Sequence, residues 1–269
     1  MKKHRLPLML GLMLLAVFLL AAAFPSLFTP YGTKEMFRPW LKPGGAHPLG
    51  TNSLGYDIFA ELIGGTRQTL QIGLISSLLT MALGTVIGVA AAGSGIIGKL
   101  MNSLINVFVL LPRLVTMIVL ATFLGSSDTV LIMLIAIFSW AGTARNIRAK
   151  VIHLNLQPFV ENCRIQGYSR GHIVVHHLIP NLYDVLISRF LLGVNSCIMM
   201  ESTLSFLGFG DLYHPTWGTM ISLAYKRGAF LRQAYAYLLS PGVCIMLLSL
   251  SFYLISLHFE KKQTEIRHS

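Results

Sequence analysis

Two sets of residues carry most of the chemistry this chain could do. The first is a basic cluster, Arg164, Arg170, His172, His176 and His177, set against a single acid, Glu161. His172 and His176 stand one helical turn apart, a spacing that suits metal ligation or a basic contact surface. We read a contact surface in preference to a metal site. The second set is two charges inside apolar runs: Arg113, directly after Pro112, and Glu201 in MESTLSFLGFG. A charge within an apolar span is costly unless it is paired or wetted. Arg113 either lines the pathway or snorkels, the interior position being favoured, and both Arg113 and Glu201 are candidate pathway or gating residues. Nucleophilic catalysis would need a His base beside Ser205 or Glu201, and most histidines lie in the polar loop or the tails. No catalytic residue is assigned, and the chain is not read as an enzyme. It has no G-x-x-x-x-G-K-[S/T] phosphate loop; Gly95–Lys99 (GIIGK) is too short and lacks the hydroxyl residue, so no energy source of its own is visible. Cys163, Cys197 and Cys244 are scattered, with neither metal spacing nor a disulfide framework, and His47, beside Pro and Gly, reads as a turn residue.

The elements that position these groups are membrane spans. Hydrophobic residues make up 54% of the chain, charged residues only 12%, and the mean hydropathy is +0.66. A soluble domain averages roughly 25% charged. The reading is an all-α polytopic membrane protein with about six transmembrane helices. The apolar runs are Leu6–Phe24, Thr69–Ala92, Leu104–Gly125 (kinked at Pro112), Val130–Ala144, Val185–Leu207 and Ala234–Phe259. The first could alternatively be a cleaved signal peptide, since Ala21–Ala23 resembles a small-residue cleavage site. Gly84 and Gly88 form a G-x-x-x-G pair, which we read as helix packing. Lys2, Lys3, Arg5, Lys99, Arg145, Arg148, Lys150, Lys261, Lys262 and Arg267 place both termini and the histidine-bearing loop in the cytoplasm. The net charge of +11 reflects this topology and a partner surface, with no nucleic acid implied.

The histidine-bearing loop reads as two short helices. Pro158 suits the first turn of one, Gly167 its left-handed end, Ser169 the cap of the next, and Pro180 its stop. Helices under about 12 residues are marginal in water. A partner protein is therefore expected to hold this piece in place.

The spacing of Glu161, Gly167 and Pro180 resembles the cytoplasmic loop signature of ATP-binding-cassette (ABC) importer permeases: E-A-A, three residues, G, nine residues, I-x-L-P. Asn162 and Cys163 replace the alanines, His177 stands where Ile is usual, and Ile179 where Leu is usual. A second stretch, His47–Leu70, resembles the dipeptide, oligopeptide and nickel branch of that family. Its wording there is H-P/W-L-G-T-D-x-L-G-R-D-x-x-S-R-L-x-x-G-x-R-x-S-L. His47, Leu49, Gly50, Thr51, Leu54, Gly55, Asp57, Leu62, Gly65, Arg67 and Leu70 match, while Asn52, Tyr56 and Glu61 depart. Ser205–Gly210 and Pro215–Gly218 match its S-F-L-G-x-G and P-x-W-G wording.

The resemblance implies the type I ABC importer permease fold, in the second-permease position of a peptide or nickel system. The expected organisation is an N-terminal transmembrane helix and external segment (1–68), a permease domain (69–260) with a cytoplasmic coupling loop (145–184), and a cytoplasmic tail (261–269). It implies half of a pathway for peptides, nickel or metal chelates in a bacterial inner membrane. The expected partners are membrane lipid, a homologous permease, two cytoplasmic ATPase subunits and an external substrate-binding protein. No metal or cofactor is expected in this chain; ATP and Mg belong to the ATPases. Phe159, Glu161, Gly167, Ile173, Val174, His177 and Pro180 are the expected coupling residues, the apolar ones packing into a groove on an ATPase. An autonomous channel or secondary transporter is the alternative; it would leave the loop without a purpose.

Overall fold

Asp57 marks the point where a polar segment becomes helix. In this computed structural model, which describes residues 5–266, Asp57 Oδ1 accepts from the Ala60 N–H at 2.7 Å, the hydrogen bond of an N-cap. Its Oδ2 lies 2.8 Å from His47 Nδ1. His47 is buried, its ring 4.5 Å from that of Phe37 and 5.2 Å from that of Tyr31. It is the partner of the cap as well as a turn residue. The helix begun there, α2 (Ile58–Ala91, after α1 at Arg5–Ala23), runs for 34 residues, about 51 Å. It starts eleven residues before the span expected at Thr69, because Asp57 supplies a cap that the apolar pattern alone does not reveal. Lys2, Lys3 and Arg267 lie outside the described residues.

The remaining order is α3 (Ile96–Leu110), α4 (Arg113–Leu124), α5 (Asp128–Asn155), α6 (Pro158–Ile165), α7 (Arg170–Ile173), α8 (Tyr183–Leu204), α9 (Trp217–Lys226) and α10 (Tyr235–Ile266). Among the described residues there is no strand, only two isolated bridges, Met36–Tyr56 and Thr51–Asp57. Five helices are long and apolar enough to cross a membrane; α3 and α4 together make a sixth, bent by 85°. The kink expected in that span is thus a break. Pro112 offers no N–H, and it holds Leu111 extended, at φ −66° and ψ 133°.

α2 is the spine, packed on α5 and α8. A Cβ on Gly88 would stand 2.6 Å from the Ala144 carbonyl oxygen and 3.0 Å from Ile147 Cβ, so α2 and α5 touch backbone to backbone. Ile72, Leu131, Ile135, Cys197 and Leu204 fill the space among α2, α5 and α8, together with Met117 of α4. α1 lies along α10, where a Cβ on Gly11 would meet the Ser251 carbonyl oxygen at 2.9 Å. The outer faces of this pair are apolar: Met9, Met13 and Val17 on α1, Val243, Met246 and Leu250 on α10. Such faces match a hydrocarbon surround.

Candidate functional site

The loop between α5 and α8 is built on Gly167. Its φ of +82° is a left-handed conformation that side chains strain to adopt, and a Cβ there would meet nothing within 4 Å. The chain turns at this point, with the Tyr168 N–H donating back to the Cys163 carbonyl at 3.1 Å. Ser169 Oγ then accepts from the His172 N–H at 3.3 Å and caps α7. Pro180 does not stop the segment. A wide turn at Val174–Leu178 is followed by a tight turn at Pro180–Leu182, and α8 begins directly after it. A residue that needs no N–H is tolerated at the start of a new turn.

Two expectations are corrected here. The loop is held by its own chain: Val160, Cys163, Ile173, Leu178 and Leu182 are buried against Ile147, Val151 and Leu154 of α5. Burying an aliphatic side chain of this kind stabilises by about 1.5–3 kcal/mol. Two arginines add to this, Arg148 Nε donating to the Ala91 carbonyl at 3.2 Å and Arg170 donating to Ser94 Oγ at 2.9 Å. The first ties α5 to the end of α2, and the second ties the loop to the turn just after it. Ile173, expected to face a partner, is 4% exposed and belongs to this core, and Phe159 and Val174 pack partly against it. The most exposed aliphatic side chains of the loop are Leu156 (79% exposed), Ile165 (78%) and Val175 (56%). Glu161 and Pro180 are exposed, and His177 is half-buried. Tyr168, His172 and His176 stack ring on ring at 4.7 and 4.2 Å, with His177 at 5.9 Å from His172. The imidazoles cover one another as a surface.

Arg113 and Glu201 occupy opposite environments. Glu201 is fully buried. Its Oε1 accepts from Ser205 Oγ at 2.6 Å and from Thr216 Oγ1 at 2.7 Å, and its Oε2 from Ser202 Oγ at 3.2 Å. This is a packing arrangement that ties the end of α8 to the start of α9. Thr216 and Thr219 close a capping box, and Trp217 follows, fully buried, its indole N–H donating to the Leu62 carbonyl at 2.9 Å. Arg113 opens α4 and lines a cavity of about 420 Å³ with Ser139, Asn195, Ser196 and Thr203.

Three features escaped the sequence reading. Asn52 donates to Glu61 Oε2 at 2.7 Å, so two of the departures from the expected wording touch each other. Asn195 was passed over as one polar residue in an apolar span. Asp128, Asp211 and His214 bring ligand atoms within 4.8 Å of one another from distant positions, with Gln68 hydrogen-bonded to Asp128. Burial pushes the Asp211 carboxyl up, but hydrogen bonds from His214 and the Tyr213 N–H outweigh it and hold the group below the usual carboxylate range.

Residues 84–265 match the protein family described as binding-protein-dependent transport system inner membrane component. The chain belongs to this family. The permease is 31% identical over 259 residues to the dipeptide transport system permease protein DppC of Alkalihalophilus pseudofirmus, an alignment covering 95% of this chain and 84% of that one. It is 30% identical over 217 residues to the glutathione transport system permease protein GsiD of Pectobacterium atrosepticum, covering 78% and 72%. With the oligopeptide transport system permease protein OppC of Mycobacterium bovis it shares 30% identity over 205 residues, covering 73% and 69%. These likenesses place the permease in the peptide group of ABC importers, as a multi-pass component of the inner membrane and a transport subunit, not an enzyme.

Proposed function

We propose that this permease lines half of the pathway of an ATP-driven importer of peptides, and that α6, Gly167 and α7 form the element through which partner ATPases move it. The observation that carries this reading is the division of apolar residues on the loop. One set, with Ile173, fixes the loop rigidly to α5. The other, with Leu156, Ile165 and Val175, stands exposed on the loop between α5 and α8, where an ATPase would sit. Motion of a docked ATPase pair then passes to α5 and α8 without being absorbed in the loop. The termini and this loop are cytoplasmic in this reading, following the distribution of Lys and Arg. The other partners are a second, homologous permease and an external binding protein. Peptides are favoured over nickel or metal chelates, because the relatives compared are named for dipeptide, oligopeptide and glutathione transport.

The test is purification of the chain from its native membrane with mass spectrometry of what accompanies it. Recovery of a homologous permease and ATPase subunits is expected; recovery of the chain alone as a stable homo-oligomer would overturn the reading. In the reconstituted complex, Gly167→Val should uncouple ATP hydrolysis from uptake. Normal substrate-stimulated uptake by that variant would remove Gly167 from the coupling element.

A further inference from the structure

Arg113 is a charge without an answering charge. Among the described residues no carboxylate lies within ion-pair distance of it; the two ion pairs found are His47–Asp57 and His214–Asp211. It stands in the broken span, at the first position of α4, exposed on the wall of the 420 Å³ cavity. A guanidinium facing hydrocarbon is costly, so this wall belongs to an aqueous or protein-lined space, unlike the apolar outer faces of α1 and α10. Three further features point the same way. α4 has Pro112 at its N-cap, with no side chain accepting from its first N–H groups, so the positive end of the helix dipole adds to the guanidinium. Discontinuous spans present such ends to anionic groups. Asn195, on the same wall, has its side-chain oxygen buried without a hydrogen-bond partner. Met199 and Met200 give the wall a deformable apolar part that suits varied side chains. A peptide carries a terminal carboxylate, N–H donors and varied side chains together.

We propose that Arg113, with the free N–H groups of α4 and with Asn195, forms a subsite in the pathway that takes the C-terminal carboxylate of a peptide in transit. Arg113 holds the carboxylate through paired N–H donors, and Asn195, once its amide turns toward the cavity, accepts from a nearby peptide N–H. The proposal rests on the peptide-importer reading above.

The test uses the complete transporter in proteoliposomes: this permease, its partner permease, the ATPases and the binding protein. ATP-driven uptake of trialanine and of trialanine amide is measured for wild type, Arg113→Gln and Arg113→Lys. The same binding protein loads every complex, so its own preference cancels in the ratio of the two substrates. In Arg113→Gln the uptake of trialanine is expected to fall about tenfold more than that of the amide, the scale of one charge-assisted hydrogen-bonded pair. Arg113→Lys should keep part of the preference for the free acid. Equal falls for acid and amide would overturn the proposal while leaving the importer intact; a site for a lipid headgroup phosphate, or a purely structural arginine, gives that result. Should Arg113→Gln fail to assemble, Arg113→Lys against wild type decides by the same comparison. Absence of uptake of either substrate by wild type would overturn the peptide-importer reading, and this inference with it.

Discussion

Asn52 Nδ2 donates to Glu61 Oε2 at 2.7 Å, and both side chains are buried where the polar segment meets α2. Asn52 also accepts from the Leu54 and Tyr56 N–H groups at 2.8 and 3.0 Å, so it shapes the turn that leads into the Asp57 cap. The family wording places Asp and Arg at these two positions. A neutral donor and an acid therefore stand at the positions that wording gives to an acid and a base.

The exchange is expected to be coupled. Asn52→Asp alone puts a second carboxylate against Glu61 and should destabilise the permease by about 2 kcal/mol. Adding Glu61→Arg should recover at least half of that loss. Thermal unfolding of the detergent-solubilised complex, carried through the full double-mutant cycle, measures the coupling; simple additivity would show that the two residues act independently.

Glu201 is expected to matter for stability rather than for the choice of substrate. In Glu201→Gln, Oε1 still accepts from Ser205 and Thr216, and the new amide can donate to Ser202. Glu201→Ala removes the acceptor of three buried hydroxyls and should cost about 3 kcal/mol or more. The Gln variant should therefore assemble and transport, while the Ala variant should show a lower unfolding temperature and loosened α9. Protease sensitivity near Trp217 reports the latter.

The contact between α2 and α5 tolerates no added atom at Gly88, whereas Gly142 on α5 has open space around it. Gly88→Ala should separate the two helices and lower the yield of folded chain, at a cost of about 1–3 kcal/mol. Gly142→Ala should be neutral or stabilising, by up to about 1 kcal/mol, through helix propensity. The two substitutions are chemically identical, so a difference in unfolding temperature isolates the packing.

Ile165 and Ile173 stand in one loop and should fail differently. Ile165→Asp alters an exposed side chain; it should leave the stability within about 0.5 kcal/mol of wild type and abolish co-purification of the ATPases. Ile173→Asp places a carboxylate in the core beside Ile147 and Val151 and should unfold the loop outright. Intact ATPase binding by Ile165→Asp would rule out that face as the docking surface.

The six apolar segments could be read from the chain because hydrocarbon demands long apolar runs, and no local detail competes with that demand. Gly167 and Ser169 were equally legible, since a left-handed turn and a helix cap need particular residue types. The early start of α2 was hidden: His47, Asn52, Asp57 and Glu61 look like solvent-exposed residues until their hydrogen bonds to one another show that they are buried. The roles of Ile165 and Ile173 were hidden for a different reason. Each lies on a helix of at most eight residues, on either side of a break at Gly167, so no continuous periodicity says which one faces α5. Asn195 and Arg113 come from different spans, and only the packing of α4 against its neighbours brings them to one wall.

α5 continues well beyond the thickness of a bilayer. Its 28 residues span about 42 Å, from the Ser127 cap at one end to the buried face of the loop at the other. In the proposed coupling it is a lever with the loop fastened to its shorter arm. Over the roughly 17 Å from Ala144 to Asn155, a sideways shift of about 2 Å at that end corresponds to a tilt of about 7°. The close contact at Gly84 and Gly88 falls on the loop half of α5 and acts as a fulcrum. In that coupling a modest swing of the loop is returned at the Ser127 end of α5, about 24 Å beyond the pivot, as a larger movement in the opposite sense.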